Sequence, residues 1–278
     1  MTASPCAWRC GRTTSRRSRC TSAWATAGFG PCRTTTTTTA TAGATRSGST
    51  GLRGRTAPHV PYIHQTTEFT CGPASLMMAM KSLVPGSVPD PDDELRIWRE
   101  ATTIFMTSGH GGCGPRGLAL AAHRRGFRAR IAISADGPLF IDTVRSPAKK
   151  QVLERVQAMM KREVDAAGIE TELTRTAPAD LEQALEAGWI PLLLVSSYRF
   201  NAEKAPHWVV VTGVDDRFIL VHDPDMDEDL MKSDVDCTHV PIPRSAFTSM
   251  TRFGRSRLQA VVYVGRGDAA AGAKGETA

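Results

Sequence analysis

The sequence predicts an α+β protein, with helices early in the chain and an antiparallel sheet later. Two observations lead to this prediction. Residues 71–187 carry apolar side chains at helical spacing between capping residues, whereas residues 190–264 include apolar, β-branched runs of strand length. The 278 residues are 41% hydrophobic and 22% charged, which is a globular composition. Helices followed by strands are typical of an α+β fold.

The predicted elements follow from their boundary residues. Pro73 stands in the first turn of the first helix, where a missing N–H costs nothing, and Ser146-Pro147 begins the longest helix. Gly126 and Gly188 end two others. The predicted helices span residues 71–83, 92–105, 115–125, 146–167 and 180–187, and the predicted strands span 128–134, 190–196, 208–214, 218–222 and 258–264.

The first 57 residues differ in composition from the rest of the chain. They contain nine Arg, no Asp, Glu or Lys, and a run of six Thr at 34–39. Because this segment lacks apolar periodicity, we predict a disordered tail and interpret it as a misassigned start or reading frame, ahead of a transit peptide. We predict a folded domain over residues 58–265 and a second disordered tail over 266–278.

The net charge of +6 does not indicate nucleic-acid binding, because it comes from the N-terminal segment. Residues 58–278 hold 25 basic and 28 acidic side chains, a net charge of −3. No apolar run approaches the roughly 18 residues that a membrane-spanning helix needs. Three cysteines among residues 58–278 are too few for a disulfide framework, and we therefore predict a cytoplasmic protein without membrane insertion.

The segment Gln65-Thr-Thr-Glu-Phe-Thr-Cys71-Gly72-Pro73 contains the first candidate catalytic residues. Cys71 falls where extended chain turns into a helix, and the N-terminus of a helix favours the nucleophilic thiolate. Acyl transfer creates an oxyanion, to which the Gln65 amide and the Cys71 N–H could donate. The alternative for Cys71 is a small buried core residue.

His207 is the candidate base, and Asp223 is the candidate carboxylate that orients it. If the hairpin turn spans residues 214–216, Gly213 faces Arg217 and His207 faces Asp223 on the same side of the sheet. A two-residue turn would shift this register. Taken singly, His207 could be a solvent-facing strand residue and Asp223 an ordinary turn residue.

Gln65, Cys71, His207 and Asp223, in this order, resemble the papain-like cysteine peptidases. They are most similar to the bacteriocin-processing, double-glycine leader peptidase family and its stand-alone bacterial relatives. The resemblance implies a papain-like fold with a nucleophile-bearing helical half. It also implies that Cys71 is the nucleophile, His207 the general base and acid, Asp223 the residue that orients His207, and Gln65 the oxyanion-hole donor.

The glycine-rich stretch Ser108-Gly-His110-Gly-Gly-Cys113-Gly is the second motif. The longer stretch that contains it, Ile104 to Pro115, resembles an uncharacterised bacterial branch of these peptidases. Members of that branch are often fused behind an acetyltransferase, which implies a partner domain or protein of that kind. A cleft lined by glycines lets a peptide backbone approach closely. A plain turn is the alternative, and a metal site at His110 and Cys113 lacks a fourth ligand. We predict substrate contacts at Gly109, Gly111, Gly112 and Trp208.

The sequence therefore predicts a cysteine peptidase that acts on a peptide or leader peptide without a metal or organic cofactor. Two alternatives stay open. Transglutaminase-like or amide-ligating chemistry would use the same residues with an amine in place of water. A catalytically inactive member would bind peptides without cleaving them.

Overall fold

A seven-stranded mixed sheet runs through the fold, and helices cover both of its faces. The computed structural model describes residues 58–87, 90, 92–103, 111–198, 205–226 and 231–267, which lie within one compact unit, Leu52–Ala278. This architecture confirms the predicted α+β class. Residues 1–57 and 268–278, which contain almost all of the two predicted tails, lie outside the described residues. In the described part of the chain, no helix is long and apolar enough to cross a membrane.

The helices agree closely with the sequence prediction. Ser146 caps the longest helix by accepting a hydrogen bond from the backbone N–H of Lys149. The second helix ends at Ala101, before its predicted end, because the backbone becomes extended at Thr102 and Thr102 pairs with Cys113. The α-helices are α1 (Cys71–Leu83), α2 (Asp93–Ala101), α3 (Pro115–Arg124), α4 (Pro147–Ala166), α5 (Pro178–Glu186), α6 (Asp234–Cys237) and α7 (Arg244–Met250).

The strands pair in the order β2-β1-β7-β3-β4-β5-β6. The β1–β2 pair is parallel and all other pairs are antiparallel. Sequence periodicity missed β2, whose four residues are all exposed, and β6, which contains two prolines. The strands are β1 (Arg128–Ile133), β2 (Glu170–Leu173), β3 (Ile190–Ser196), β4 (Pro206–Val214), β5 (Phe218–His222), β6 (Val240–Pro243) and β7 (Ala260–Gly265).

Both faces of the central strands are buried, which explains their nearly continuous apolar sequence. Alternate residues enter two separate clusters. Leu194 and Trp208 pack with α1 and α3, whereas Val195 and Val209 pack with α5 and α7. The first cluster packs α1 against β4, so that the start of α1 lies near the start of β4.

Candidate active site

The β4–β5 hairpin brings the first residue after β5 close to the start of β4. Val210 pairs with His222 and Gly213 with Leu220, with a bulge between them. The predicted pairing of Gly213 with Arg217 is therefore wrong, because the turn is tighter than expected. The Asp215 carboxylate stabilises this turn by accepting hydrogen bonds from the backbone N–H groups of Arg217 and Phe218.

His207 and Asp223 nevertheless meet. His207 Nε2 lies 2.7 Å from Asp223 Oδ1, and both residues are buried. The observed register offsets Asp223 by two residues from the position opposite His207. A shift of two keeps a side chain on the same face of a sheet and leaves diagonal neighbours within reach of long side chains. The contact thus survives the error in the predicted register.

Cys71 is the first residue of α1, and Thr70 before it makes no side-chain cap hydrogen bond. The Thr70 hydroxyl instead contacts the backbone oxygen of Thr67. Free N–H groups at the start of a helix favour an anion. Gly72 allows close packing behind the thiol, since a Cβ there would lie 3.2 Å from Cys113 Cβ and from Trp208 Cδ1.

His207 contacts both other candidates, and its pKa reflects this. Burial lowers the pKa of the imidazole, but the charge of Cys71, the hydrogen bonds to Asp223 and Cys71, and the charge of Asp223 together raise it to about 10. Since Nε2 contacts Asp223, the second ring nitrogen is the one available to the Cys71 thiol. The arrangement therefore favours an imidazolium beside the sulfur.

Asp223 is 2% exposed and remains an anion. Burial raises the pKa of its carboxyl, but His207, the backbone N–H of Asp225 and the ammonium of Lys232 lower it below the usual value. Its backbone N–H donates to the carbonyl of Cys237 at the end of α6. These contacts fix both the charge and the position of the carboxylate.

Gln65 lies against the segment that follows Asp223. Its backbone N–H donates to Pro224 O at 2.8 Å, and its Nε2 donates to Asp225 Oδ1 at 3.3 Å. The Gln65 Oε1 atom is buried and has no hydrogen-bond partner among the described residues. One N–H of the amide remains for an oxyanion, and the role of Gln65 as oxyanion donor stays a prediction.

The predicted substrate-binding residues fall into different places. Gly109 lies outside the described residues. Gly111 is partly exposed and its carbonyl accepts from Trp98 and Thr102, whereas Gly112 is exposed and has open space where a Cβ would stand. Their contact with substrate stays a prediction.

Trp208 is a core residue, which corrects the prediction that it contacts substrate. Its side chain is 2% exposed, and the indole N–H donates to Cys113 O at 3.0 Å. Its side chain belongs to the apolar cluster that packs α1 and α3 against the sheet. It supports the α1 side of the core.

Cys113 does not have the environment of a nucleophile. It is buried, and burial together with the charge of Cys71 raises the pKa of its thiol well above the ordinary value. His110, its proposed metal-binding partner, lies outside the described residues. Within the described ranges, no group of three His, Cys, Asp or Glu side chains could hold a metal ion.

Comparison with known proteins identifies the family to which this chain belongs. Residues 60–265 match the model of the Peptidase_C39 like family. The chain belongs to the Peptidase_C39 like family. This membership confirms the resemblance that Gln65, Cys71, His207 and Asp223 predicted from their order. A comparison with proteins of curated function found no match.

Two solved structures are similar to this chain. One is the peptidase domain of Streptococcus ComA, a bifunctional ABC transporter involved in a quorum-sensing pathway. It is 13% identical, covers 75% of this chain and 99% of its own, and has a TM-score of 0.38. The other is a C39-like peptidase from Bacillus anthracis, 18% identical, which covers 76% of this chain and 97% of its own with a TM-score of 0.43.

Sequence reasoning missed two residues that contact the candidate residues Gln65 and Asp223, namely Asp225 and Lys232. Both belong to the stretch 223–236, which is rich in acidic residues. One signal was available, because Lys232 is the single basic residue among seven acidic ones in that stretch.

Proposed function

We propose that this C39-like protein is a cysteine peptidase that hydrolyses a peptide bond through a thioester intermediate. The observation that supports the proposal is the position of His207, which hydrogen-bonds Asp223 and lies close enough to Cys71 for the thiol to raise the pKa of its ring. A nucleophile, a base in contact with it and a third group that orients the base form the arrangement required for nucleophilic catalysis.

The chemistry follows from the charges. The Cys71 thiolate attacks the carbonyl carbon of the scissile bond, and the resulting oxyanion is held by the Cys71 N–H and one N–H of Gln65. The His207 imidazolium gives its proton to the departing amine, so the C–N bond breaks and a thioester remains. His207 then takes a proton from water, which attacks the thioester and releases a carboxylic acid and the thiolate.

Alkylation of the cysteines by iodoacetamide tests the nucleophile in the full-length chain. We expect Cys71 to react at mildly acidic pH about tenfold faster in folded protein than in urea-unfolded protein. The variant His207→Ala should lose this advantage, because it removes the neighbouring imidazolium. Mass spectrometry at each cysteine gives the rates. Equal rates for Cys71 in folded and unfolded protein would contradict the proposal.

Cleavage of a synthetic random-sequence peptide library tests turnover. We expect new peptide termini with the unmodified chain and with Cys113→Ala, but none with Cys71→Ala. The same assay with added cadaverine separates hydrolysis from amine transfer, since a transferase would give cadaverine-linked products. Cleavage that survives in Cys71→Ala would rule out Cys71 as the nucleophile. If Cys71 is alkylated rapidly but no peptide is cleaved, the result would favour a peptide-binding role.

A further inference from the structure

Lys232 places a positive charge beside the Asp223 carboxylate. Its Nζ lies 3.8 Å from Asp223 Oδ2, and its side chain is only 17% exposed. Among the described residues, no atom accepts a hydrogen bond from this Nζ. A buried ammonium needs a compensating charge, and among the described residues Asp223 is the carboxylate that forms an ion pair with it.

The other nearby carboxylates are already engaged. Asp236 accepts from the backbone N–H and the hydroxyl of Ser233, and Asp225 accepts from Gln65. Asp223 Oδ1 accepts from His207 and from the Asp225 backbone N–H, which leaves Oδ2 for Lys232. Within the described part of the chain, Lys232 is the group that contacts Asp223 Oδ2.

The fold positions Lys232 from both ends of α6. Ser233 precedes this short helix, and its backbone N–H and hydroxyl both donate to the Asp236 carboxylate, which fixes the residue just before it. Cys237 at the end of the helix accepts the backbone N–H of Asp223. Met231 has a left-handed φ of 53° and is 89% exposed, whereas the side chain of the next residue, Lys232, is only 17% exposed.

We infer that Lys232 is a positioning residue of the proposed peptidase, whose charge keeps Asp223 ionised and turned with Oδ1 toward His207. The inference rests on the proposed function, because it assigns Lys232 to the same site. The charged or titratable groups around the Lys232–Asp223 pair are Tyr62, Cys71, His207, Asp225, Asp234, Asp236 and Cys237.

Removal of the charge should move the pH profile of the site. Loss of a positive charge raises the pKa of neighbouring acids. In Lys232→Met, the fall in the Cys71 alkylation rate on acidification should therefore begin about one pH unit higher than in the unmodified chain. Lys232→Arg keeps the charge and should show the same pH dependence of alkylation as the unmodified chain. A purely structural role for the side chain would not require this result. The exposed Lys161, paired with Asp165 on α4, supplies the matched control Lys161→Met.

Iodoacetamide rates at Cys71, measured across acidic pH in all four full-length chains, decide the question. An unshifted pH dependence in Lys232→Met, or a shift that also appears in Lys232→Arg, would overturn the inference while leaving the proposed function intact. Absence of the fast reaction in the unmodified chain would overturn the proposed function itself. If Lys232→Met does not fold, Lys232→Gln removes the same charge with a polar end and decides the outcome.

Discussion

At the scale of single residues, Asp223 is the most constrained group of the candidate site. Its Oδ1 atom accepts from His207 Nε2 at 2.7 Å and from the Asp225 N–H at 3.0 Å. The Asp225 contact needs only an oxygen atom, whereas stabilisation of a charged His207 needs an anion. A substitution that keeps the oxygen and removes the charge therefore separates these two functions.

The substitution Asp223→Asn is expected to lower the pKa of His207, which lies at about 10, by at least about one unit. The reason is that an amide oxygen accepts the hydrogen bond without the charge that stabilises the imidazolium. Titration of the His207 ring by NMR measures the change, and the exposed His123 serves as an internal control. An unchanged midpoint for His207 would show that Asp223 does not control its protonation.

At the scale of elements, the contact between α2 and α3 supports the chain behind Cys71. A Cβ at Gly117 would lie 2.5 Å from the Cα and the carbonyl oxygen of Ala101, so the helices meet without a side chain between them. Just beyond this contact, Thr102 pairs with Cys113. Cys113 in turn packs against the Gly72 position, which links the helix pair to the start of α1.

The substitution Gly117→Ala should lower the free energy of unfolding by about 1–3 kcal/mol, because the backbone of Ala101 has to move away. Gly112→Ala is the matched control, since a Cβ at Gly112 meets no atom within 4 Å. Urea unfolding followed by circular dichroism measures both. A loss of equal size in the two variants would contradict the close helix contact.

At the scale of the whole molecule, His222 joins three parts of the chain that are distant in sequence. From the end of β5, its Nε2 donates to Val60 O at 2.9 Å, and its Nδ1 accepts from the His239 backbone N–H at 3.0 Å. This pair of contacts requires a neutral ring. Burial is the main cause that lowers the pKa of His222 to about 4.

His222 should therefore make the fold sensitive to acid. Its pKa is lower in the folded chain than in the unfolded chain, so its contribution is present above about pH 6.5 and falls as the pH decreases toward 4, by up to about 3 kcal/mol. His222→Gln keeps a donor and an acceptor without titrating. The difference in unfolding free energy between the unmodified chain and this variant should shrink on acidification. A difference that stays constant with pH would refute the prediction.

Local sequence patterns determined much of this protein. Ser146 at a helix start, Pro73 in a first turn and the apolar run 190–196 specify elements through neighbouring residues alone. The order of Gln65, Cys71, His207 and Asp223 also predicted the family, because these residue types carry a specific chemistry. The strand β2 escaped prediction because all four of its residues are exposed, and β6 escaped because proline is unusual within strands.

Only the tertiary structure decided which side chains meet. The contact of His207 with Asp223 depends on a bulge and a tight turn, and Trp208 is buried because its strand is covered on both faces. Lys232 reaches Asp223 through α6, and Gln65 is anchored by Pro224. These contacts join residues far apart in the chain. Periodicity reports the surroundings of one element, whereas such contacts depend on the order in which strands pair and helices pack.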